Sequence, residues 1–135
     1  MLAPLCASQP GSAVARTALK SKCVAVWWGT PVEMLGDLHR LARDGDMSRQ
    51  DFDRAAHRLA ALRKQWVEVL PAARVRELAE LLLQRHVLRA AGAFQLAAAL
   101  VWSGERPRKR PFVCFDHRLA EAAEQEGFQV EAGGG

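Results

Sequence analysis

Two acidic residues follow short apolar runs that have the composition of buried strands. The run CVAVWW, residues 23–28, is followed after a tight turn by Glu33, and the run FVCF, residues 112–115, ends directly at Asp116. If the two runs are neighbouring parallel strands, both carboxylates reach one edge of the sheet, because the carboxyl ends of parallel strands lie on the same side. Carboxylates at such an edge bind hard cations such as Mg²⁺, which assist phosphodiester cleavage. A metal-assisted hydrolytic site that includes Glu33 and Asp116 is therefore one interpretation.

Each of these acids also has a purely structural interpretation. Glu33 is the third residue after Thr30, so the segment TPVE has the pattern of a capping box at the start of a helix. Asp116 directly precedes a helical pattern and is a favourable N-cap residue. Spacing alone favours these structural roles, and both interpretations stay open at this point.

Apolar strands alternate with amphipathic helices along the chain. Helices are predicted at residues 13–20, 30–44, 48–64, 72–86, 89–102 and 117–126, and strands at 23–28, 66–70, 112–115 and 128–130. Ser48 is the expected N-cap of the third helix, and the second and third helices are expected to form a hairpin. Such alternation is typical of βαβ units, so we predict an α/β domain over residues 1–130, with helices on both faces of a short parallel sheet and a flexible tail at 131–135.

Composition narrows the class of protein. The 135 residues carry a formal net charge of +4, which mildly favours polyanionic partners. The three cysteines, Cys6, Cys23 and Cys114, form no C-x-x-C pair, and the four histidines lack zinc-site spacing. No signal peptide and no membrane-spanning run is expected, so a cytoplasmic protein with reduced thiols is predicted.

A basic loop, ERPRKRP, separates the last long helix from the strand at 112–115. Its four cations could contact RNA phosphates without reading sequence: Arg106, Arg108, Lys109 and Arg110. The alternative is a solvated connection with no binding role.

Three segments resemble the VapC-like PIN domains, the toxin components of bacterial toxin–antitoxin pairs: AVWWGTPVE, LRAAGAFQLAAAL and FVCFDHRLAEAAEQEGF. The resemblance implies a three-layer α/β/α fold and a ribonuclease that depends on Mg²⁺ or Mn²⁺. It places Glu33 and Asp116 at two of the family's acidic positions, as catalytic metal ligands. It further implies three partners, namely RNA, an antitoxin peptide and a second copy in a homodimer, with the helix hairpin at roughly 31–64 forming the dimer and antitoxin contacts.

The chain departs from the family pattern at two acidic positions. Gly92 stands where the family has an aspartate that opens a helix, although a glycine there could instead permit close helix–strand approach. The start MLAPLC resembles the part of the family after its first aspartate, so that acid and the central strand before it are missing from the chain as written. The resemblance therefore implies an impaired ribonuclease, and the alternatives are a non-catalytic module that binds an antitoxin or dimerises, and a decayed remnant.

Overall fold

The computed structural model describes residues 24–132, which form five helices and four short strands. The bounds of these elements, in chain order, are β1 Ala25–Trp27, α1 Thr30–Arg43, α2 Arg49–Arg63, β2 Val67–Val69, α3 Ala73–Arg85, α4 Ala90–Trp102, β3 Pro111–Cys114, α5 His117–Glu126 and β4 Gln129–Ala132. The helix predicted at 13–20, together with Cys6 and Cys23, lies outside the described residues. The last strand continues to Ala132 and so extends past the predicted start of the tail at 131.

Local capping explains where several helices begin and end. The hydroxyl of Ser48 accepts a hydrogen bond of 3.1 Å from the backbone N–H of Asp51, which confirms Ser48 as the N-cap of α2. Gly127 ends α5 with φ of 107°, a left-handed conformation that glycine adopts without steric cost.

The predicted capping box at the start of α1 is wrong. Gly29 is the N-cap residue and makes no side-chain cap, while Thr30 is already the first residue of the helix. The Thr30 hydroxyl is buried and has no hydrogen-bond partner within residues 24–132. Glu33 does not reach back to Thr30, because its carboxylate is bonded to a residue of another helix.

The strands form two parallel pairs rather than the single sheet that was expected. β1 pairs with β2, with Ala25 opposite Val67, and β3 pairs with β4, with Pro111 opposite Gln129. In the part of the chain that the structure describes, β1 and β3 form no ladder with each other. The β1–β2 ladder continues on either side of β1 with hydrogen bonds from the N–H of Val67 to the carbonyl of Val24 and from the N–H of Trp28 to the carbonyl of Val69. Because successive residues of a strand point their backbone groups in opposite directions, those of Ala25 and Trp27 point away from β2.

Both strand pairs contribute to the same two hydrophobic clusters, one on each face. On one face Val26 of β1 and Val113 of β3 pack with residues of α1 and α2, namely Met34, Leu59 and Leu62. On the other face Trp27 and Phe112 pack with residues of α3, α4 and α5, including Leu78, Leu96 and Leu119. Helices therefore cover both faces of the strands, and the predicted α/β class is confirmed.

None of the helices between residues 24 and 132 combines the length and the hydropathy needed to cross a bilayer.

Candidate functional site

An open cleft of about 690 Å³ lies between α1, the first turn of α4 and the segment that joins β3 to α5. Its lining contains acids, arginines, an amide and a few apolar groups: Glu33, Gly36, Asp37, Arg40, Arg43, Arg89, Ala91, Gly92, Gln95, Cys114, Phe115, Asp116 and Leu119. The structure thus brings Glu33, Gly92 and Asp116 to one cleft, although they are separated by up to 83 positions in the sequence.

One face of α1 supplies the polar wall of the cleft. Its lining residues lie three, four, seven and ten positions after Glu33, a spacing that keeps them on one side of a helix. Arg40 forms an ion pair of 3.2 Å with Asp37, and the Nε of Arg43 donates to the backbone carbonyl of His39 at 3.3 Å. The guanidinium of Arg43 therefore keeps most of its donors available to the cleft.

The carboxylate of Glu33 is bonded across the cleft to Gln95. The Nε2 of Gln95 donates to Oε2 of Glu33 at 2.5 Å, a contact between α1 and α4. Burial raises the pKa of Glu33; the hydrogen bond from Gln95 opposes this by lowering the pKa, and the nearby charge of Asp37 raises it further. A half-buried acid whose ionised form is disfavoured is more common at functional sites than elsewhere.

Asp116 combines a structural role with its place in the cleft. Its Oδ1 accepts hydrogen bonds from the backbone N–H groups of Arg118 at 2.9 Å and Leu119 at 3.2 Å, so Asp116 is the N-cap of α5. The expected structural interpretation of this residue is confirmed, and its other oxygen, Oδ2, accepts no hydrogen bond from residues 24–132. Beside it, burial raises the pKa of the Cys114 thiol to about 12, so that sulfur is protonated at neutral pH.

Gly92 is not required by close packing. A Cβ built at this position would lie 3.7 Å from Cδ1 of Leu119 and 3.8 Å from Cδ2 of Leu88, both ordinary van der Waals distances. The alternative that glycine permits a close helix–strand approach therefore has no support in the packing. There is room in the first turn of α4 for a side chain.

The side chains in the cleft fit a divalent cation only in part. Glu33 and Asp116 are oxygen ligands of the kind that Mg²⁺ and Mn²⁺ prefer. No group of three or more histidine, cysteine or acidic side chains suited to a metal ion is found among residues 24–132. Asp37, the third acid in the lining, is paired with Arg40, and Gly92 has no side chain.

The basic loop lies at the other end of β3 from Asp116. Arg106, Arg108, Lys109 and Arg110 precede the strand, Asp116 follows it, and none of the four lines the cleft. The loop is held in place by bonds from the N–H of Lys109 to the carbonyl of Gly127 and from Arg74 to Glu105. Arg74 lowers the pKa of Glu105, which stays ionised at neutral pH. Any binding by the loop is therefore separate from chemistry in the cleft.

The sequence analysis did not predict the cleft's arginines or Gln95 as site residues. Helical spacing from Glu33 would have found Arg40 and Arg43, because α1 was predicted correctly. Arg89 and Gln95 flank Gly92 on a predicted helix, three positions to either side, which places all three near one face.

Comparison with known proteins gives no assignment. No protein-family model matches the chain, and no curated protein sequence is significantly similar to it. The case for a function therefore rests on the cleft and on the resemblance of the three segments.

Proposed function

We propose that the chain is a PIN-like RNA-processing domain of VapC-like toxin lineage in which metal-dependent cleavage is impaired. The observation that carries this proposal is the meeting of Glu33, Gly92 and Asp116 in one cleft. These are three of the four positions at which the resemblance expects acidic residues, and they line the cleft from α1, α4 and the end of β3. Only two of the three carry a carboxylate.

The side chains of the cleft have distinct roles in this proposal. Glu33 and Asp116 would hold Mg²⁺ or Mn²⁺, which supplies charge stabilisation at the phosphodiester. Gln95 orients Glu33 through its amide, and the α5 cap fixes Asp116. With two carboxylates rather than a fuller set, metal affinity is lowered, since even losing an outer-shell partner typically costs ~10–100-fold. The same proposal places the protein in the cytoplasm, where its RNA substrate is found.

The test is the substitution Gly92→Asp. A Cβ at this position makes only ordinary contacts, and a carboxylate in the cleft that Glu33 and Asp116 line adds negative charge that a divalent cation neutralises. We expect Gly92→Asp to raise Mn²⁺ affinity measurably in titration calorimetry, and to leave RNA cleavage incompletely restored.

Gly92→Ala is the matched control, because it adds a Cβ without an oxygen ligand. If the unaltered chain binds Mn²⁺ as tightly as Gly92→Asp, the interpretation of Gly92 as a lost ligand is wrong. If preparations of Glu33→Gln and of Asp116→Asn cleave RNA as well as the unaltered chain does, the cleavage comes from a contaminating nuclease.

A second proposal concerns protein partners, and an exposed apolar surface favours it. Trp28, Val32 and Leu70 are 53%, 73% and 63% exposed, and exposed apolar side chains that cluster mark interaction sites. The N–H of Trp28 donates to the carbonyl of Val69, so Trp28 and Leu70 follow adjacent strands at the same edge. Val32 lies in the first turn of α1 on the helix hairpin. We propose that this apolar surface contacts an antitoxin peptide or the second copy in a homodimer.

A further inference from the structure

The basic loop ERPRKRP presents cations on a turn whose backbone is unusual for such residues. The N–H of Arg110 donates to the carbonyl of Pro107 at 2.8 Å, which closes a four-residue turn. The two central residues of the turn, Arg108 and Lys109, have φ of 46° and 60°. Two positive φ values mark a turn type that Asn, Asp and Gly normally form, because other side chains are strained there. Residues held in such sparsely populated conformations cluster at functional sites.

Contacts with the junction of α5 and β4 fix the conformation of this turn. The N–H of Lys109 donates to the carbonyl of Gly127 at 2.9 Å, and the N–H of Gln129 donates to the carbonyl of Arg110 at 3.0 Å. Pro107 is buried beside Gly127, where a Cβ added to the glycine would lie 3.5 Å from the Cβ of the proline. A turn held in this way presents its side chains without the ordering cost that a flexible loop has on binding.

The cations of the loop are exposed, and no acid of the described chain compensates their charge. None of the four forms an ion pair with a residue between 24 and 132: Arg106, Arg108, Lys109 and Arg110. The acid of the loop, Glu105, accepts a hydrogen bond of 2.9 Å from the Nε of Arg74, so a residue of α3 neutralises it. Guanidinium groups bind carboxylates through paired hydrogen bonds. The loop therefore offers several unopposed positive charges to an anionic partner.

The position of the loop separates it from the proposed RNA chemistry. The loop lies at the amino-terminal end of β3, whereas the cleft lies at the carboxyl-terminal end, where it includes Asp116. The four residues of β3 span roughly 13 Å at about 3.3 Å per residue. An RNA that enters the cleft at one end of the strand has no need to pass the loop at the other end. A second partner therefore explains these cations better than the substrate of the cleft does.

We propose that residues 106–110 form a docking site for an acidic segment of another protein. Carboxylates of that segment pair with the guanidinium groups of Arg106, Arg108 and Arg110, and Lys109 adds a point charge. Electrostatic complementarity of this kind steers association and selects partners by their charge. The docking site does not use the cleft and does not depend on the proposed ribonuclease function.

The test is the affinity of the full chain for an acidic peptide. A fluorescein-labelled peptide of alternating glutamate and glycine is titrated at low ionic strength, where screening is weak, and followed by anisotropy. We expect it to bind, and a peptide of alternating glutamine and glycine not to bind. Arg106→Gln/Arg108→Gln/Arg110→Gln should bind the acidic peptide about tenfold more weakly or worse, since three charge-assisted contacts are lost.

Arg54→Gln/Arg58→Gln/Arg63→Gln is the matched control, because it removes the same charge from exposed residues of α2. It should change the affinity for the acidic peptide much less than the loop triple variant does. Thermal unfolding of both triple variants verifies that each remains folded.

A second pair of variants tests whether the strained turn is kept for its cations. Arg108→Asn/Lys109→Gly introduces the residues that this turn type prefers, so it should raise the melting temperature and yet weaken peptide binding. Arg108→Gln/Lys109→Gln removes the same charges and should weaken binding equally, without the gain in melting temperature. If Arg108→Asn/Lys109→Gly binds the acidic peptide as tightly as the unaltered chain, the turn is not a docking site.

The outcomes distinguish a protein partner from RNA. Equal weakening by the two triple variants, or equal binding of the acidic and the glutamine peptides, overturns the docking site. A labelled single-stranded RNA titrated in the same way should lose little affinity in the loop triple variant. If RNA binding depends on the loop as strongly as peptide binding does, the cations belong to an RNA site and the protein partner is wrong. Metal binding by Gly92→Asp is measured independently, so the proposed function stands or falls separately.

Discussion

The contact between Glu33 and Gln95 is the feature of single residues that most affects the cleft. An amide from α4 holds a carboxylate of α1 that burial makes harder to ionise. The two residues are 62 positions apart in the sequence, so the bond links the helix hairpin to the helix that carries Gly92. Because the ionised form is disfavoured in the folded protein, Glu33 makes the fold less stable at neutral pH than a neutral side chain of the same shape would.

This argument predicts a pH-dependent effect of Glu33→Gln on the free energy of unfolding. The folded pKa of Glu33 lies above its unfolded value of about 4.5, so the folded state binds more protons and loses stability as pH rises through the interval between the two values. Glu33→Gln should be more stable than the unaltered protein at pH 7, and the difference should shrink as pH falls toward 4. Urea denaturation across this pH range measures it. A constant difference at every pH would show that Glu33 does not titrate abnormally.

At the scale of elements, α5 depends on its two ends. Asp116 caps its first turn with two hydrogen bonds, and Gly127 ends it in a left-handed conformation. The same carboxylate also belongs to the cleft, so a substitution there changes helix stability and site chemistry at once. The two effects have to be separated before any loss of activity is assigned to chemistry.

Asp116→Ala should lower the stability of the protein by about 0.5–2 kcal/mol through loss of the cap. Asp116→Asn keeps an oxygen that accepts from the N–H groups of Arg118 and Leu119, and should lose only a few tenths of a kcal/mol. Thermal or urea unfolding of the two variants side by side gives the comparison. Equal stability of Asp116→Ala and the unaltered protein would contradict the capping role.

The helices were predictable because their signals are local. Ser48, the stripe through Val75, Leu78 and Leu82, and the glycine after α5 each act within one or two turns, and the structure confirms them. The capping box at Thr30 was wrong because a local pattern competed with a bond to α4 that is distant in sequence. The sequence analysis did not predict the division of the strands into two pairs or the place of Arg89 and Gln95 in the cleft. Both depend on contacts between elements that are distant in the sequence.

At the scale of the molecule, α4 joins the two strand pairs. Its residues Leu96 and Ala97 are fully buried in the cluster that also contains Trp27 of β1 and Phe112 of β3. Phe94 stacks on Trp27 with ring centroids 5.3 Å apart. The apolar surface at Trp28, Val32 and Leu70 lies outside this core and stays exposed in the fold of residues 24–132.

If that apolar surface forms a homodimer, substituting it should produce monomers without unfolding the protein. We expect the unaltered chain to be dimeric in light scattering after size exclusion, and Val32→Ser/Leu70→Ser to be monomeric. The matched control is Leu83→Ser/Val87→Ser, which replaces comparably exposed side chains, 44% and 72%, at the end of α3 and just beyond it. A chain that is monomeric at all concentrations would contradict the homodimer and leave the antitoxin peptide as the remaining occupant.

The four strands differ in how they discourage unwanted association. β2 and β4 carry Glu68 and Glu131, and a charge of this kind on a sheet margin hinders pairing with strands of other molecules. β1 has the sequence AVW, and β3 continues from its first proline as FVC, so neither has a charged residue. The charge thus lies on the second strand of each pair and hinders association there, whereas β1 and β3 have no such protection.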